Sequence, residues 1–418
     1  LHNTHFSQNK PIATAFALAL GAAISLGLAR FSYALFLPVM REDLDWSYLT
    51  AGIMNTANAG GYFLGALMCP WLFKWASPSK IFVISAFLTS ALLGFSGAVS
   101  GTYELFLLRL LAGICSAFVF VGGGILSAQL GSIHPTKSGL ILGIYYGGTG
   151  IGIVLSSFII PNTVDWAASQ QWVHTWQLGW WALALIGCLF SIALMKPSLF
   201  IALSPSTQNT SQPTAISSYR KIVLGYCCFG MGYIGYMTFV VALLKQLGMS
   251  STSIHLFYVV LGICVMVSSK VWAKTLDIYK GGTSLAILNA LLAFASFIPA
   301  VIALNLQSDE SLSSFSICAI YLSGMIFGGC FLSAVASTTA FVKHNLPQQQ
   351  WVSGITVFTT VFAIGQVIGP TLTGWISDRF ASLTTGFLLS SCVLAVGAIV
   401  AVTQKPLEVI TTFDSNEP

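Results

Sequence analysis

The stretch Gly27-Leu28-Ala29-Arg30-Phe31-Ser32-Tyr33, running on to Pro38, decides how the rest of the chain is read. It lies in the outer part of a long apolar segment, Ile12 to about Pro38, where everything around Arg30 suits a lipid-spanning helix. A charge near mid-bilayer costs roughly 3 kcal/mol on insertion scales and more in simulations; it is tolerated facing a wet cavity or a partner. The remaining spans are therefore expected to assemble around a cavity that contains this side chain. Lys10 ahead of an apolar run resembles a signal peptide, but the run is far longer than an h-region and holds Arg30, so it reads as the first span.

Composition agrees. Of 418 residues, 56% are hydrophobic and 7% charged, with a mean hydropathy of +0.83. A soluble protein carries about 25% charged residues, so this chain cannot cover a water-facing surface and reads as an all-α polytopic membrane protein. The nine cysteines fall in apolar segments without a CxxC, which argues against a disulfide framework. The net charge of +5 is scattered through loops and does not point to nucleic acid.

A helix needs about 20 apolar residues to cross the hydrocarbon core. Twelve segments qualify: 12–38, 48–73, 80–100, 104–130, 138–160, 175–195, 221–247, 254–276, 283–303, 314–341, 350–373 and 384–402. Of the 17 Lys and Arg, twelve then fall on the side of the termini and three, Arg41, Lys245 and Arg379, on the other; Arg30 and Arg109 stay within spans. That asymmetry places both termini in the cytoplasm. Between Lys196 and Arg220, the run Ser204 to Pro213 is rich in Ser, Thr, Gln and Pro and reads as a linker. The expected organisation is a six-helix bundle over 1–195, a cytoplasmic linker over 196–220, a second bundle over 221–403 and a tail over 404–418.

The halves look like diverged repeats. Ser138-Gly139 and Ser353-Gly354 open spans five and eleven, and Gly150 and Gly365 each follow eleven positions after the glycine. Gly61/Gly65, Gly143/Gly147, Gly148/Gly152, Gly324/Gly328 and Gly365/Gly369 have GxxxG spacing, read first as close helix contacts. A sharper reading lets Gly-rich spans five and eleven, with Gly150, Gly365 and Pro370, bend as the halves rock.

Several motifs carry a resemblance. Arg109-Leu110-Leu111-Ala112-Gly113 resembles the RxxxG signature of the major facilitator superfamily, and Ala273 to Gly282 a degenerate copy of its GxxxDRxGRR loop, with Asp277 at the acid. In the equivalent loop Trp71 to Lys80, Lys74 stands where the superfamily has Asp. Gly27 to Pro38, Ser138 to Pro161, Gly230 to Gly248 and Gly354 to Gly374 are similar to the YbfB/YjiJ-like branch. The resemblance implies twelve transmembrane helices in two pseudo-symmetric six-helix bundles that transport a small solute by alternating access, with Asp277, Lys74 and Lys80 at the gate loops. Trp375-Ile376-Ser377-Asp378-Arg379 mimics the loop motif on the wrong side and reads as an ordinary exposed pair.

Other matches fall away. Gly230-Met231-Gly232-Tyr233-Ile234-Gly235 fits GxGxxG but lies inside an apolar span without a βαβ unit. Asn209-Thr210-Ser211 fits a glycosylation sequon but falls in the cytoplasmic linker. No His, Cys or carboxylate cluster has metal spacing and no catalytic grouping stands out, so no cofactor is expected and the chain is not read as an enzyme.

The candidate site rests on charge. Arg30 lies eight residues before Pro38, about 12 Å from the outer end of its span, and Arg109 about 7.5 Å deep in span four. No Asp or Glu lies well inside any span, so two buried cations favour a small, negatively charged organic substrate. Tyr33, Asn55, Asn58, Tyr145, Thr149, Tyr233, Tyr236, Thr359 and Gln366 are candidate polar contacts, and packing is the plainer role for several of them taken singly. The expected partners are this solute, with proton coupling as one option, and the bilayer; a monomer in a bacterial inner membrane is the simplest form. The alternatives are efflux of amphipathic drug-like compounds and, from another class, a transporter-like membrane sensor.

Overall fold

The computed structural model describes residues 10–199, 201, 215–306 and 311–407. The run Ser204 to Pro213, its sequon and the tail from Glu408 lie outside the described residues. Twelve long helices follow one another: α1 (Pro11–Asp43), α2 (Tyr48–Trp75), α3 (Pro78–Ser96), α4 (Thr102–Ile133), α5 (Ser138–Ser169), α6 (Gln177–Leu199), α7 (Arg220–Gln246), α8 (Ser251–Ile278), α9 (Thr283–Asn305), α10 (Ser314–Asn345), α11 (Trp351–Arg379) and α12 (Leu383–Val402). Among the described residues, eleven are long and apolar enough to cross a membrane; α2, which carries Asn55, Thr56, Asn58 and Lys74, falls short. All twelve helices, α2 included, run through the bundle in succession, which puts Lys10 and Leu407 on one side, called here the terminal side.

The two halves repeat the same packing. Helix α1 lies on α5 as α7 lies on α11, α2 on α4 as α8 on α10, and α3 on α6 as α9 on α12. The far-side turns repeat as well. A left-handed residue follows α1 (Asp45, φ 50°) and α7 (Gly248, φ 76°), and another follows α5 (Gln171, φ 56°) and α11 (Ala381, φ 51°). Far-side helix starts are capped by side chains: Ser47 accepts from Thr50 N, Ser250 from Ser253 N and Ser313 from Ser316 N.

Four GxxxG pairs are packing devices. A Cβ on Gly61 or Gly65 would strike α4, on Gly148 or Gly152 α1, on Gly324 or Gly328 α8, and on Gly365 or Gly369 α7. The fifth pair differs from expectation. A Cβ on Gly143 would meet only Ser269 Oγ at 3.4 Å, and on Gly147 nothing closer than Met266 O at 3.5 Å, so these glycines leave space rather than bring backbones together.

The halves meet along α2–α11, α5–α8 and α1–α7. Hydrogen bonds between them cluster toward the far side. Asp378 accepts from Tyr48 N (2.9 Å) and Leu49 N (2.7 Å), Gln246 donates to Tyr48 Oη (2.5 Å), and Lys245 bridges to Glu42 (3.2 Å). Deeper in, Thr56 bonds Val367 O and Thr371, and Tyr258 donates to Phe31 O. Asp378 is therefore no ordinary exposed pair with Arg379: its carboxylate caps the N-terminus of α2 across the interface, where the helix dipole favours negative charge. Gly52 lets the α11 backbone at Pro370 close against α2 just below this contact.

Candidate functional site

The site begins with a change of helix type. Residues Ala23–Phe31 of α1 form a π-helix, so Ser32 N bonds Gly27 O. The wider turn loosens the carbonyls at its end, and side chains take them up. Ser32 Oγ bonds Leu28 O (2.5 Å), Arg109 Nη1 donates to Ala29 O (2.7 Å), and Tyr258 Oη to Phe31 O (2.6 Å). Gly27 allows the close approach: a Cβ there would lie 2.5 Å from Gly152 Cα on α5. Ser25 and Ser116 exchange hydrogen bonds between α1 and α4.

Arg30 projects from this segment. Helix α1 runs on to Asp43, so Arg30 lies about 20 Å from its far end, deeper than a span ending at Pro38 implies. The side chain is 3% exposed, and its Nε and Nη2 are buried without a hydrogen-bond partner. Its guanidinium carbon sits 5.6 Å from the centre of the Tyr62 ring and 5.9 Å from that of Phe31. Across the interface Phe31 meets Phe331 edge to face at 5.5 Å, and Phe331 stacks on Tyr233 at 5.9 Å. Tyr233 accepts a hydrogen bond from Gln366 Nε2, which leaves its own proton free to donate. Arg30, Tyr62 and Tyr233, from α1, α2 and α7, thus lie around one ring cluster where the halves meet. Each can donate a hydrogen bond.

The other candidates divide. Arg109, also 3% exposed, is tied down: besides Ala29 O it reaches Asn55 Oδ1 (3.4 Å) and lies 4.7 Å above the Tyr33 ring. Asn55 also donates to Thr238 (2.6 Å), Asn58 donates to Arg109 O, and Tyr33 donates to Ala51 O. Tyr145 bonds Phe120 O, and Thr149 is buried with its hydroxyl unpartnered. Tyr236 turns away from Arg30, bonding Ser323 and stacking on Phe327. Thr359 is exposed and bonds Ile355 O of its own helix. At the terminal side Lys74, Lys80 and Asp277 are exposed, and no ion pair among the described residues engages them. Gly150 packs against Gly262 of α8 and Gly365 against Cys227 of α7.

By its i, i+3, i+7 spacing Tyr62 shares a helix face with Asn55 and Asn58, which the sequence alone shows, whereas Tyr146 and the ring wall behind Tyr233 do not stand out there. Phe229, Phe362 and Phe331 stack on Tyr233 with centroids 4.8, 5.6 and 5.9 Å away. The i, i+4 spacing of Phe229 and Tyr233 was the available signal; Phe331 and Phe362 come from other helices.

This fold and buried polar cluster define a solute transporter of the major facilitator type. The chain belongs to the family described as "Uncharacterised MFS-type transporter YbfB", whose model matches residues 22–402. No curated protein matches it in sequence. Among solved structures it is similar to a bacterial homologue of the human drug peptide transporters PepT1 and PepT2 (TM-score 0.70, 15% identity, 93% of this chain and 97% of that one). It is also similar to the nucleoside transporter NupG (0.65, 14%, 97% and 100%). A third similarity is to a bacterial homologue of the human lysosomal transporter Spinster, inward-facing and occupied (0.64, 12%, 95% and 96%). At these identities the likeness is one of fold.

Proposed function

We propose that the chain is a secondary active transporter that works by alternating access and binds a small organic anion at Arg30. The observation that carries this reading is a guanidinium buried in the core of the interface with no hydrogen-bond partner for Nε or Nη2. Burying a charge is costly unless it is paired, and no acid among the described residues is placed to pair it: Glu42, Asp43, Glu104, Asp165, Asp277 and Asp378 all lie within about a turn of a helix end, and Asp45 lies in the turn beyond α1. A carboxylate from solution, taking two bonds from the planar fork, would complete the site. Far-side hydrogen bonding and exposed gate loops support a state closed on the far side and open to the terminal side, and the excess of Lys and Arg there supports reading that side as cytoplasmic.

Thermal stability of the purified protein across a panel of organic anions tests the reading. One or more anions should raise the melting temperature of wild type and leave Arg30→Gln unmoved. Equal shifts in a well-folded Arg30→Gln protein would sink the anion site. The aromatic wall beside Tyr233 supports a second reading, efflux of amphipathic compounds; stabilisation by cationic and neutral amphiphiles irrespective of Arg30 would favour it.

A further inference from the structure

A cavity of about 620 Å³ lies between α5, α8 and the terminal-side part of α1. Its lining is overwhelmingly apolar, with Lys270 the one charge. Helical geometry shows that it passes between helices. At 100° per residue, Gly150, which packs on Gly262 of α8, marks the α8-facing line of α5. Leu142 and Tyr146 line the cavity on one flank of that line, whereas Leu140, Ile144 and Ile151 line it on the other. The Tyr146 flank faces inward: its ring is 5.7 Å from Phe120, which is 6.3 Å from Tyr62, the neighbour of Arg30, so this short run of rings is what separates the cavity from the guanidinium. The opposite flank leads outward past Phe16 of α1, which is 53% exposed.

Gly143 and Gly147 keep the passage open. They are the GxxxG pair whose added Cβ atoms would meet nothing closer than ordinary contact, and both line the cavity. From Gly139 to Ile151 the groove runs for about 18 Å along α5, a length suited to an extended alkyl chain. Lys270, exposed and without an acidic partner among the described residues, stands toward its terminal-side end.

We propose that this groove is a lateral portal, and that the substrate is an amphipathic anion, a single acidic head group on an apolar chain, drawn from the membrane leaflet on the terminal side. This rests on the anion-site reading of Arg30. Lys270 attracts the head group at the leaflet surface, where a basic residue interacts favourably with anionic amphiphiles. The head then passes Tyr146 and Tyr62 to the guanidinium of Arg30, while the chain remains in the apolar groove. Walls that are mostly apolar, with Tyr146 and Ser269 the hydroxyl-bearing residues in the lining, suit a tail that never has to meet water.

The test uses the full chain in nanodiscs of phosphatidylcholine, with a long-chain fatty acid carrying a mid-chain diazirine as photoreactive probe. Crosslinks should map to residues 140–151 and 266–273 and be competed by laurate but not by dodecylamine. Arg30→Gln should cut them by about tenfold or more, the loss of a charge-assisted contact. Gly143→Phe and Ser269→Phe, which narrow the groove from opposite walls, should each do the same without lowering the melting temperature. Crosslinking undiminished in Arg30→Gln would overturn the anion site and the portal together. Crosslinking lowered by Arg30→Gln but unaffected in both narrowed variants would leave the anion site standing and overturn the portal. Equal competition by dodecylamine would identify the groove as a place for bulk lipid and overturn the proposal.

Discussion

Arg30 and Arg109 are equally buried on neighbouring helices, yet they are held differently: Arg109 leaves only its Nε unpartnered, whereas Arg30 leaves both Nε and Nη2. Arg109 is held by a backbone carbonyl, by Asn55 and by the Tyr33 ring, and it fastens the π segment of α1 to α4. Arg30, one residue beyond the carbonyl that Arg109 binds, has rings beside it and no hydrogen bond among the described residues. The first is an internal strut; the second is a charge left for something that arrives. Burial alone does not distinguish them. The presence or absence of partners does.

The largest expected effect falls on the strut. Arg109→Gln leaves the Ala29 carbonyl and the Asn55 amide oxygen without their donor in a dry interior. Each orphaned group costs about 1–3 kcal/mol, so the ligand-free protein should lose several degrees in melting temperature. Arg109→Lys, which keeps a charge and one bond, should recover part of it. A melt unchanged by Arg109→Gln would erase the contrast. Arg30→Gln should do the reverse: the ligand-free melt stays level or rises, since an unpaired buried charge has been removed. Affinity for a stabilising anion should fall by about ten- to a hundredfold, equivalent to about 1.5–3 kcal/mol.

Sequence could carry this comparison only part of the way. Twelve apolar runs, the glycine spacings and the two in-span arginines were all legible, because each is a property of one helix read by itself. The roles of the arginines were not, since the groups that engage Arg109 come from α1 and α2 and no count along α4 reveals them. The π-helix was likewise hidden: nothing in Ala23 to Phe31 forbids an ordinary helix, and the wider turn is held by Ser32, Arg109 and Tyr258. Asp378 was misjudged for the same reason, its partners being 330 and 329 positions away in sequence. Gly143/Gly147 looked like the other four pairs because spacing records where a side chain is missing, not what faces the gap.

A smaller effect is expected at the far-side closure. Asp378 holds two amides at the start of α2, whereas Asp277 and Lys74 on the terminal side engage no ion pair among the described residues. Asp378→Asn removes the charge from a helix cap, a loss of about 1 kcal/mol. A single cysteine at Gln246 should then react several-fold faster with an impermeant thiol reagent added from the far side. In this state Lys74→Gln should not change that rate. In transport, Asp277→Asn should impair turnover more than Lys74→Gln, because only the acid can hold a helix start once the terminal side closes. Equal labelling in Asp378→Asn and wild type would remove Asp378 from the closure.

The finest version of the comparison lies within one helix. Tyr233 and Tyr236 are three residues apart on α7, both buried, and sequence alone gave them the same role. Tyr236 is a strut in miniature: its hydroxyl bonds Ser323, whose own hydroxyl continues to Ala295 O, and its ring stacks on Phe327 at 3.9 Å. Tyr233 accepts from Gln366, so its proton remains available, and its ring reaches Phe31, the neighbour of Arg30, through Phe331. Tyr236→Phe should therefore cost about 1 kcal/mol of stability, the worth of one buried hydrogen bond, and leave anion affinity unchanged. Tyr233→Phe keeps the ring stack and the volume, removing one donor to the ligand and one acceptor for Gln366. Affinity should fall by several-fold, about 1 kcal/mol, and the anion-bound protein should lose more stability than the ligand-free one. The readout is the difference between the two melts for each variant. A ligand-dependent loss in Tyr236→Phe and none in Tyr233→Phe would place the site on the other face of α7 and detach it from Arg30.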